Sequence, residues 1–420
     1  MLIIGGGVGG LGLALESLKK GIPTTVLDNG FNGTTHAATG ILDARPDHLI
    51  KDVESVIATA TEVKRWQDTF SQKLVKPELF HLLLGQNSKY GIREFESLFE
   101  YYCDLTQARA YGLPDNWTTV PISNCEKSEP NLRKDYFTHS IKFWLWTVNP
   151  DALLAALREE CSMFSPLFKR VVIKKIKSYT VKDRLIKEVT VETKSGEVIK
   201  IDNGRLSPIV NTAGPWINNV LLDLGIKIPL ELDLGVQVKV PGFHLGSGLL
   251  TFAEDGKYSV LLQIGDYLQA GPTNTNFGNS PRLLNKEEET SAISYISDIL
   301  KKVFDPKHHL PQISILKYGW RVRPKGMVDT DRPIVWRHDK EGIDNLYTLL
   351  PGKMVLGLLA GRELLSRAVS DGVIKIYKGF RSETSLTLNG YEKTTNNIML
   401  IFWKISSLCK LAWRYLKTSH

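Results

Sequence analysis

The sequence predicts an α/β fold in two lobes, one built on a parallel sheet and one on a mixed sheet. Three observations predict it. The chain opens with an apolar triplet, a glycine-rich turn, an apolar helical stretch and a second apolar run that ends in an acid. Strand-like and helical periodicities then alternate along most of the chain. The elements expected to complete the first sheet resume only around Asp151, which requires other material, a second lobe, in between. At 420 residues the chain is long enough to bury the cores of both.

Taken in order, Leu2–Ile4 reads as a strand, Val8–Lys20 as a helix and Thr24–Leu27 as a strand ending at Asp28. His48–Phe70 carries a helical stripe of Leu49, Val53, Val56, Ile57, Ala60, Val63 and Trp66. A strand at Ser140–Leu145 precedes a helix at Asp151–Cys161. Val171–Tyr179 and Leu185–Thr193 alternate as strands, and Lys194-Ser195-Gly196 turns into Glu197–Ile201. The apolar run Leu206–Asn211 leads into Thr212-Ala213-Gly214-Pro215-Trp216. Three strands are expected between Val236 and Leu268, an amphipathic helix at Lys286–Phe304, and strands at Ile313–Tyr318 and Ile334–Arg337. A long helix is expected over Met354–Tyr377. Arg381–Asn397 is polar and loop-like, and Ile398–Leu416 is apolar and basic.

Hydrophobic content of 42% and charged content of 23% are those of a globular enzyme. The net charge of +8 favours anionic partners such as phosphates, a dinucleotide or an acidic membrane face. Nucleic acid is not expected, because no basic stripe is interleaved with stacking aromatics. Cys103, Cys125, Cys161 and Cys409 form no CxxC pair, so no metal site is expected and the thiols should be reduced, as in the cytoplasm. The short apolar start passes straight into glycines, unlike a secretory leader.

Gly5-x-Gly7-x-x-Gly10 follows a strand and opens a helix. A pyrophosphate needs close backbone and unpaired N–H groups, which glycines and a helix N-terminus supply together. Asp28, ending the next strand, suits the hydroxyls of a ribose. The stretch Gly33-Thr34-Thr35-His36-Ala37-Ala38-Thr39-Gly40, small and hydroxyl-bearing, suits a loop lying against a flat ring system. This combination points to FAD on a Rossmann-like domain rather than to a nicotinamide cofactor.

The opening glycines, Gly33–Gly40, Val148-Asn149-Pro150, Asn211–Ile217, Gly271-Pro272-Thr273, Val322-Arg323-Pro324 and Gly352-Lys353 occur in the order found in the glycine/D-amino-acid-oxidase-like flavoproteins, which the chain resembles over roughly residues 1–378. Asp52-Val53-Glu54-Ser55 and its following helix look most like the catalytic subunit of FAD-dependent glycerol-3-phosphate dehydrogenase of the anaerobic type. The resemblance implies a discontinuous FAD-binding domain of the glutathione-reductase type over 1–76, 145–228 and 318–378, and a substrate lobe over 77–144 and 229–317. It implies that Gly5, Gly7 and Gly10 take the pyrophosphate, Asp28 the ribose, and Val171 the adenine side. Thr34, Thr35, Thr39 and Gly40 would line the flavin. Ala213 and Gly214 would approach the pyrophosphate from its other side. Gly352, Lys353 and Met354 would face the flavin pyrimidine, where a lysine and a helix start stabilise negative charge. Arg323 would face a small anionic substrate. Apart from the resemblance, His36 in the 33–40 loop has two readings, a base or polar packing.

The chain departs from that pattern at two places. Asp47 stands where a substrate arginine is expected, with Arg45 as its replacement if the loop is shifted. Pro351–Leu358 lacks the family's threonine, tyrosine and arginine, whereas Arg321 is an added cation. His308-His309, Asp329, Asp331 and Arg332 read as polar surface. Three functions remain open on these residues: oxidation of glycerol 3-phosphate with electrons passed to a quinone or another acceptor, oxidation of an amine or amino acid, and a non-catalytic flavoprotein subunit. After a linker at 379–397, residues 398–417 form an amphipathic cationic helix with Trp403 and Trp413, suited to a membrane surface, a partner subunit or the enzyme itself. The expected location is the cytoplasm, peripheral on the inner face of the cell membrane.

Overall fold

The opening βαβ unit forms because its apolar residues have two layers to bury against. A computed structural model describes residues 1–374 apart from 31–32, 43–52, 71–73, 86–87, 89–90, 107–116, 126–128, 130, 134, 204–206, 254–257, 274, 279–280, 306, 308–311 and 328–331. The linker and C-terminal helix expected from the sequence lie outside the described residues.

The strands are β1 (Leu2–Ile4), β2 (Thr24–Asp28), β3 (Ile41–Leu42), β4 (Val75–Gly85), β5 (Thr118–Pro121), β6 (Phe137–Val148), β7 (Phe168–Lys182), β8 (Leu185–Thr193), β9 (Val198–Asp202), β10 (Ile209–Asn211), β11 (Leu230–Pro241), β12 (Gly248–Phe252), β13 (Tyr258–Ile264), β14 (Tyr267–Gly271), β15 (Thr275–Gly278), β16 (Ser314–Pro324), β17 (Ile334–Arg337) and β18 (Leu346–Leu350). The helices are α1 (Val8–Lys19), α2 (Gly33–His36), α3 (Val53–Thr69), α4 (Ile92–Thr106), α5 (Ile122–Cys125), α6 (Pro150–Ser162), α7 (Ile217–Leu221), α8 (Lys286–Val303) and α9 (Gly357–Ser370).

The first sheet runs β17-β18-β10-β1-β2-β7-β8-β9. Its centre, β18 through β7, is parallel, and β7-β8-β9 closes it as an antiparallel meander. The second sheet runs β15-β11-β14-β13-β12-β4-β6-β3, with β16 also paired to β11 and β5 to β6. Helix α1 is buried on every side from Val8 to Leu18, so its face carries no polar stripe. It packs against α6 and against α9, whose backbone comes so close that a Cβ on Gly12 would lie 2.5 Å from the Gly357 carbonyl oxygen.

Several elements differ from the sequence reading. Four strands, β11 to β14, occupy the stretch where three are expected. The strand expected to end at Tyr318 runs on to Pro324, because β11 pairs with it along its whole length. The last helix begins with a 3-10 turn at Met354–Leu356 and ends at Ser370, where Gly372 takes φ +72° and lets the chain turn back onto Ala368. β18, fully buried in the centre of the first sheet, is a short apolar run without periodicity and was not expected.

Three helices of the first lobe are tied by one buried ionic group. Arg362 on α9 meets Glu16 on α1 at 3.3 Å and bonds Glu62 on α3. Burial pushes the Glu62 carboxyl above the usual glutamate range, and Arg362 opposes that rise. Arg362→Met is expected to remove up to about 3–5 kcal/mol of stability near neutral pH, because Glu62 is left charged and buried. A carboxyl raised in the folded state is tolerated while protonated and destabilises as pH rises through its folded value. The deficit in urea unfolding should therefore be larger at about pH 8 than at about pH 5. An equal deficit at both would show that Glu62 does not carry it.

Candidate active site

The turn between β1 and α1 is shaped by backbone contacts that only glycine permits. Gly5 has φ +116° and donates its N–H to the Leu27 carbonyl at 2.8 Å. A Cβ on Gly10 would be driven into the Gly5 carbonyl oxygen. Thr212, just past β10, clasps the turn from the other side: its hydroxyl donates to the carbonyls of Ile4 at 3.0 Å and Gly5 at 2.9 Å. Gly7 differs from both, since among the described residues a Cβ there would meet only the Thr35 hydroxyl, at 3.4 Å. The start of α1 has no capping side chain on Gly7 and no acid in its first turn, and the Val8 N–H donates to Thr35 Oγ1 at 3.2 Å. Ala213 donates its N–H to Asn211 Oδ1, and Gly214, at φ +56°, faces open space.

Asp28 ends β2 beside this turn, buried, as the sequence reading places it. The structure adds a partner that the sequence did not indicate. Arg170 on β7 donates to Asp28 Oδ2 at 2.6 Å and 3.2 Å, and the Gly30 N–H donates to Oδ1 at 3.1 Å. Val171 follows Arg170 and sits opposite Leu27 in the parallel register. Arg158 on α6 stands close enough to Arg170 to feel its charge, and burial with that repulsion lowers its pKa.

The Gly33–Gly40 segment forms the short α2 and a turn held by side chains of the second sheet. The Thr34 hydroxyl donates to the Trp320 carbonyl at 2.9 Å. Three consecutive carbonyls are then taken by three neighbouring strands. Gln237 on β11 donates to Ala37 O at 2.6 Å, Lys317 on β16 to Ala38 O at 2.9 Å, and Gln269 on β14 to Thr39 O at 3.3 Å. Gln237 and Lys317 are direct cross-strand partners. Gly319 makes this approach possible, since a Cβ there would lie 2.6 Å from the Ala37 Cβ. Gly40, at φ +87°, accepts the Val148 N–H at 2.7 Å. The Val148-Asn149-Pro150 motif thereby has a mechanical meaning: Val148 meets the turn, Asn149 caps α6 by accepting from Asp151 and Ala152, and Pro150 opens the helix. His36 Nδ1 lies 2.5 Å from Asp151 Oδ1 at that helix start.

On β16 the alternation of side chains sorts the expected substrate residues. Tyr318, Trp320 and Val322 enter the core, whereas Lys317, Gly319, Arg321 and Arg323 share the opposite face. Arg323 does not stand ready for a substrate anion. Its guanidinium lies 2.5 Å from Glu231 and 2.9 Å from Asp233, and it donates to the Met327 carbonyl at 2.6 Å. These partners raise the pKa of Arg323 further, the Asp233 hydrogen bond most. Arg321 is exposed, across from Asp233 in the sheet register. Gly352, at φ +76°, and Lys353 precede the 3-10 turn that begins at Met354, and Pro351 packs on the position of Gly9 in the first turn of α1. Arg45, Asp47, His308, His309, Asp329 and Asp331 lie outside the described residues. Arg332 forms an exposed pair with Glu54 at 2.9 Å. Among the described residues no cluster of His, Cys, Asp and Glu could hold a metal ion.

The residues fit FAD. The room at Gly7, the acid-free start of α1 and the open Gly214 suit a pyrophosphate. Gln237 Oε1, buried beside the Ala37 carbonyl, has no hydrogen-bond partner among the described residues, as expected at the wall of a cofactor pocket. In such a site Gly5, Gly7 and Gly10 would hold the pyrophosphate, and the 33–40 turn the ring system.

Comparison with known proteins agrees. Among curated proteins none matches the sequence. The family model described as FAD dependent oxidoreductase, DAO, matches residues 1–365. The fold is similar to that of glycerol-3-phosphate dehydrogenase from Bacillus halodurans in complex with FAD, with a TM-score of 0.67 at 17% identity over 90% of this chain and 65% of that one. Just under two thirds of that enzyme's length is thus represented here. It is also similar to L-proline dehydrogenase from P. horikoshii, with a TM-score of 0.64 at 19% identity over 89% and 94% of the two chains. L-alpha-glycerophosphate oxidase from Mycoplasma pneumoniae, with FAD bound, gives a TM-score of 0.60 at 17% identity over 90% and 96%. The chain belongs to the DAO family of FAD-dependent oxidoreductases, and its cofactor is FAD.

Proposed function

We propose that this oxidoreductase is a dehydrogenase acting on a small anionic hydroxy compound, converting sn-glycerol 3-phosphate to dihydroxyacetone phosphate. The observation that carries this reading is on β16, where Lys317 and Arg321 share one side of the strand that covers the 33–38 turn and Arg323 is held beside them by Glu231 and Asp233. A phosphate dianion needs several charge-assisted donors, more than an amino-acid carboxylate does. Two of the similar structures are a glycerol-3-phosphate dehydrogenase and a glycerophosphate oxidase, which supports the same reading. FAD, when bound, supplies the two-electron acceptor for the carbinol hydrogen. Arg321 takes the anion, and Arg323, tied to Glu231 and Asp233, sets the face on which it lies. His36, oriented by Asp151, accepts the hydroxyl proton. Lys353 and the chain start after Gly352 favour negative charge at the ring. Electrons leave to a quinone or another acceptor.

A second reading is oxidation of an amino acid, and one observation favours it. Glu231 and Asp233 share the arginine face, so a zwitterion would meet both signs of charge. Anaerobic titration separates the readings. Glycerol 3-phosphate is expected to bleach the bound flavin, and proline and glycine are not. Bleaching by an amino acid alone would overturn the phosphate reading, and bleaching by none of them would leave a non-catalytic flavoprotein subunit.

No helix among the described residues is long and apolar enough to cross a membrane. We propose that residues 398–417 place the enzyme peripherally on an anionic membrane face. Each basic residue there contributes about 1 kcal/mol near such a surface. The full chain should co-sediment with anionic vesicles at low salt, and truncation after Asn397 should release it while dye reduction persists. Failure to bind such vesicles would remove the membrane location.

A further inference from the structure

Lys317 has no counterpart in the motifs that point to FAD, yet it occupies a singular place in the site. It is the only charged member of the row of three donors that grips the carbonyls of Ala37, Ala38 and Thr39. A neutral side chain suffices for such a grip, as Gln237 and Gln269 show on either side of it. The lysine is half-buried, and burial lowers its pKa while the Asp151 carboxylate opposes that loss. Asp151 is itself held by His36 Nδ1. The ammonium is therefore kept in a tight, partly dry junction of β16, the 33–40 turn and the start of α6, where a charge costs solvation. On the same strand face Gly319 removes a side chain so that Ala37 can approach. The next cations along that face, Arg321 and Arg323, lie beyond that gap, and Arg323 is neutralised by Glu231 and Asp233.

We infer that Lys317 is a positioning residue that also sets the charge of the flavin site: docked on the Ala38 carbonyl, it holds the 33–40 turn against β16 and keeps a positive charge at the rim of the ring pocket. The inference rests on the 33–40 turn facing the flavin, but not on the identity of the substrate. A fixed cation in a site of low dielectric favours the reduced, more negative ring over the oxidised one.

The test uses the full-length holoenzyme and a reference dye, with reducing equivalents delivered chemically. K317Q keeps an N–H donor for the Ala38 carbonyl and loses the charge, whereas K317R keeps both. The equilibrium constant for reduction of the bound flavin against the dye is expected to fall about tenfold or more in K317Q and to stay within about threefold of wild type in K317R. Normal FAD content with an unchanged equilibrium in K317Q would overturn the inference. So would a fall in K317R as deep as in K317Q, which would show that shape rather than charge matters. If K317Q does not retain FAD, retention by K317R at the wild-type equilibrium supports the inference, and loss of FAD from K317R overturns it. No substrate enters the measurement, so its outcome stands whether or not glycerol 3-phosphate bleaches the flavin.

Discussion

Gly7→Val is expected to yield a folded protein that has lost its flavin. The expectation follows from the contrast between neighbouring glycines. A side chain at Gly10 collides with the backbone of Gly5, so Gly10→Ala should damage the turn itself and lower thermal stability. At Gly7 a Cβ touches, among the described residues, only the Thr35 hydroxyl, at 3.4 Å, so the chain tolerates it. The two methyls of valine would then occupy the path expected for the pyrophosphate. Overpacking of this kind costs about 1–3 kcal/mol or more, which is roughly fivefold to more than a hundredfold in FAD affinity. The ratio of flavin to protein absorbance, with circular dichroism to verify the fold, measures it. Full FAD content in folded Gly7→Val would move the pyrophosphate away from this turn. Gly10→Ala with normal stability would show that the turn relaxes more easily than its geometry implies.

The second large effect is expected at the two arginines of β16, and it should differ between them. Arg321→Ala removes an exposed cation from the proposed anion site. Loss of one charge-assisted donor typically costs about 1.5–3 kcal/mol, so kcat/KM should fall roughly ten- to more than a hundredfold while FAD content and melting temperature hold. Arg323→Ala removes the partner of both Glu231 and Asp233. Two like charges are then left on adjacent positions of one face, so activity and melting temperature should fall together. Steady-state kinetics beside thermal unfolding distinguishes the two. Unchanged kinetics in Arg321→Ala would take it out of the substrate site. A loss of activity in Arg323→Ala without any loss of stability would mean that Arg323 contacts substrate directly and that its carboxylates are incidental.

These two residues also show how far the sequence could be read. The motif Val322-Arg323-Pro324 was legible, but its guanidinium partners come from Glu231 and Asp233, nearly a hundred positions away in the chain by rough count, through an antiparallel register that no local pattern encodes. Asp28 is a similar case. Its place at the end of a strand follows from βαβ periodicity, whereas Arg170 reaches it only because β2 and β7 are neighbours. Lys317, Gln237 and Gln269 left no signal, since a lone lysine and two glutamines in strands carry no spacing of their own. Gln237 at 1% exposure is the kind of residue that burial alone brings to notice.

By itself the sequence determined the α/β class, the glycine-rich βαβ opening, the FAD cofactor and the order of motifs along the chain. Those features depend on short-range constraints: glycines where backbone must pass close, hydrophobic periods of two and 3.6 residues, and caps next to helix starts. Tertiary structure alone decided which charges meet, namely Arg170 with Asp28, Arg323 with Glu231 and Asp233, Arg362 with Glu16 and Glu62, and Lys317 with the turn that follows α2. Long charged side chains have weak local preferences, and the energy of an ion pair depends on distance and burial that only the assembled sheets supply.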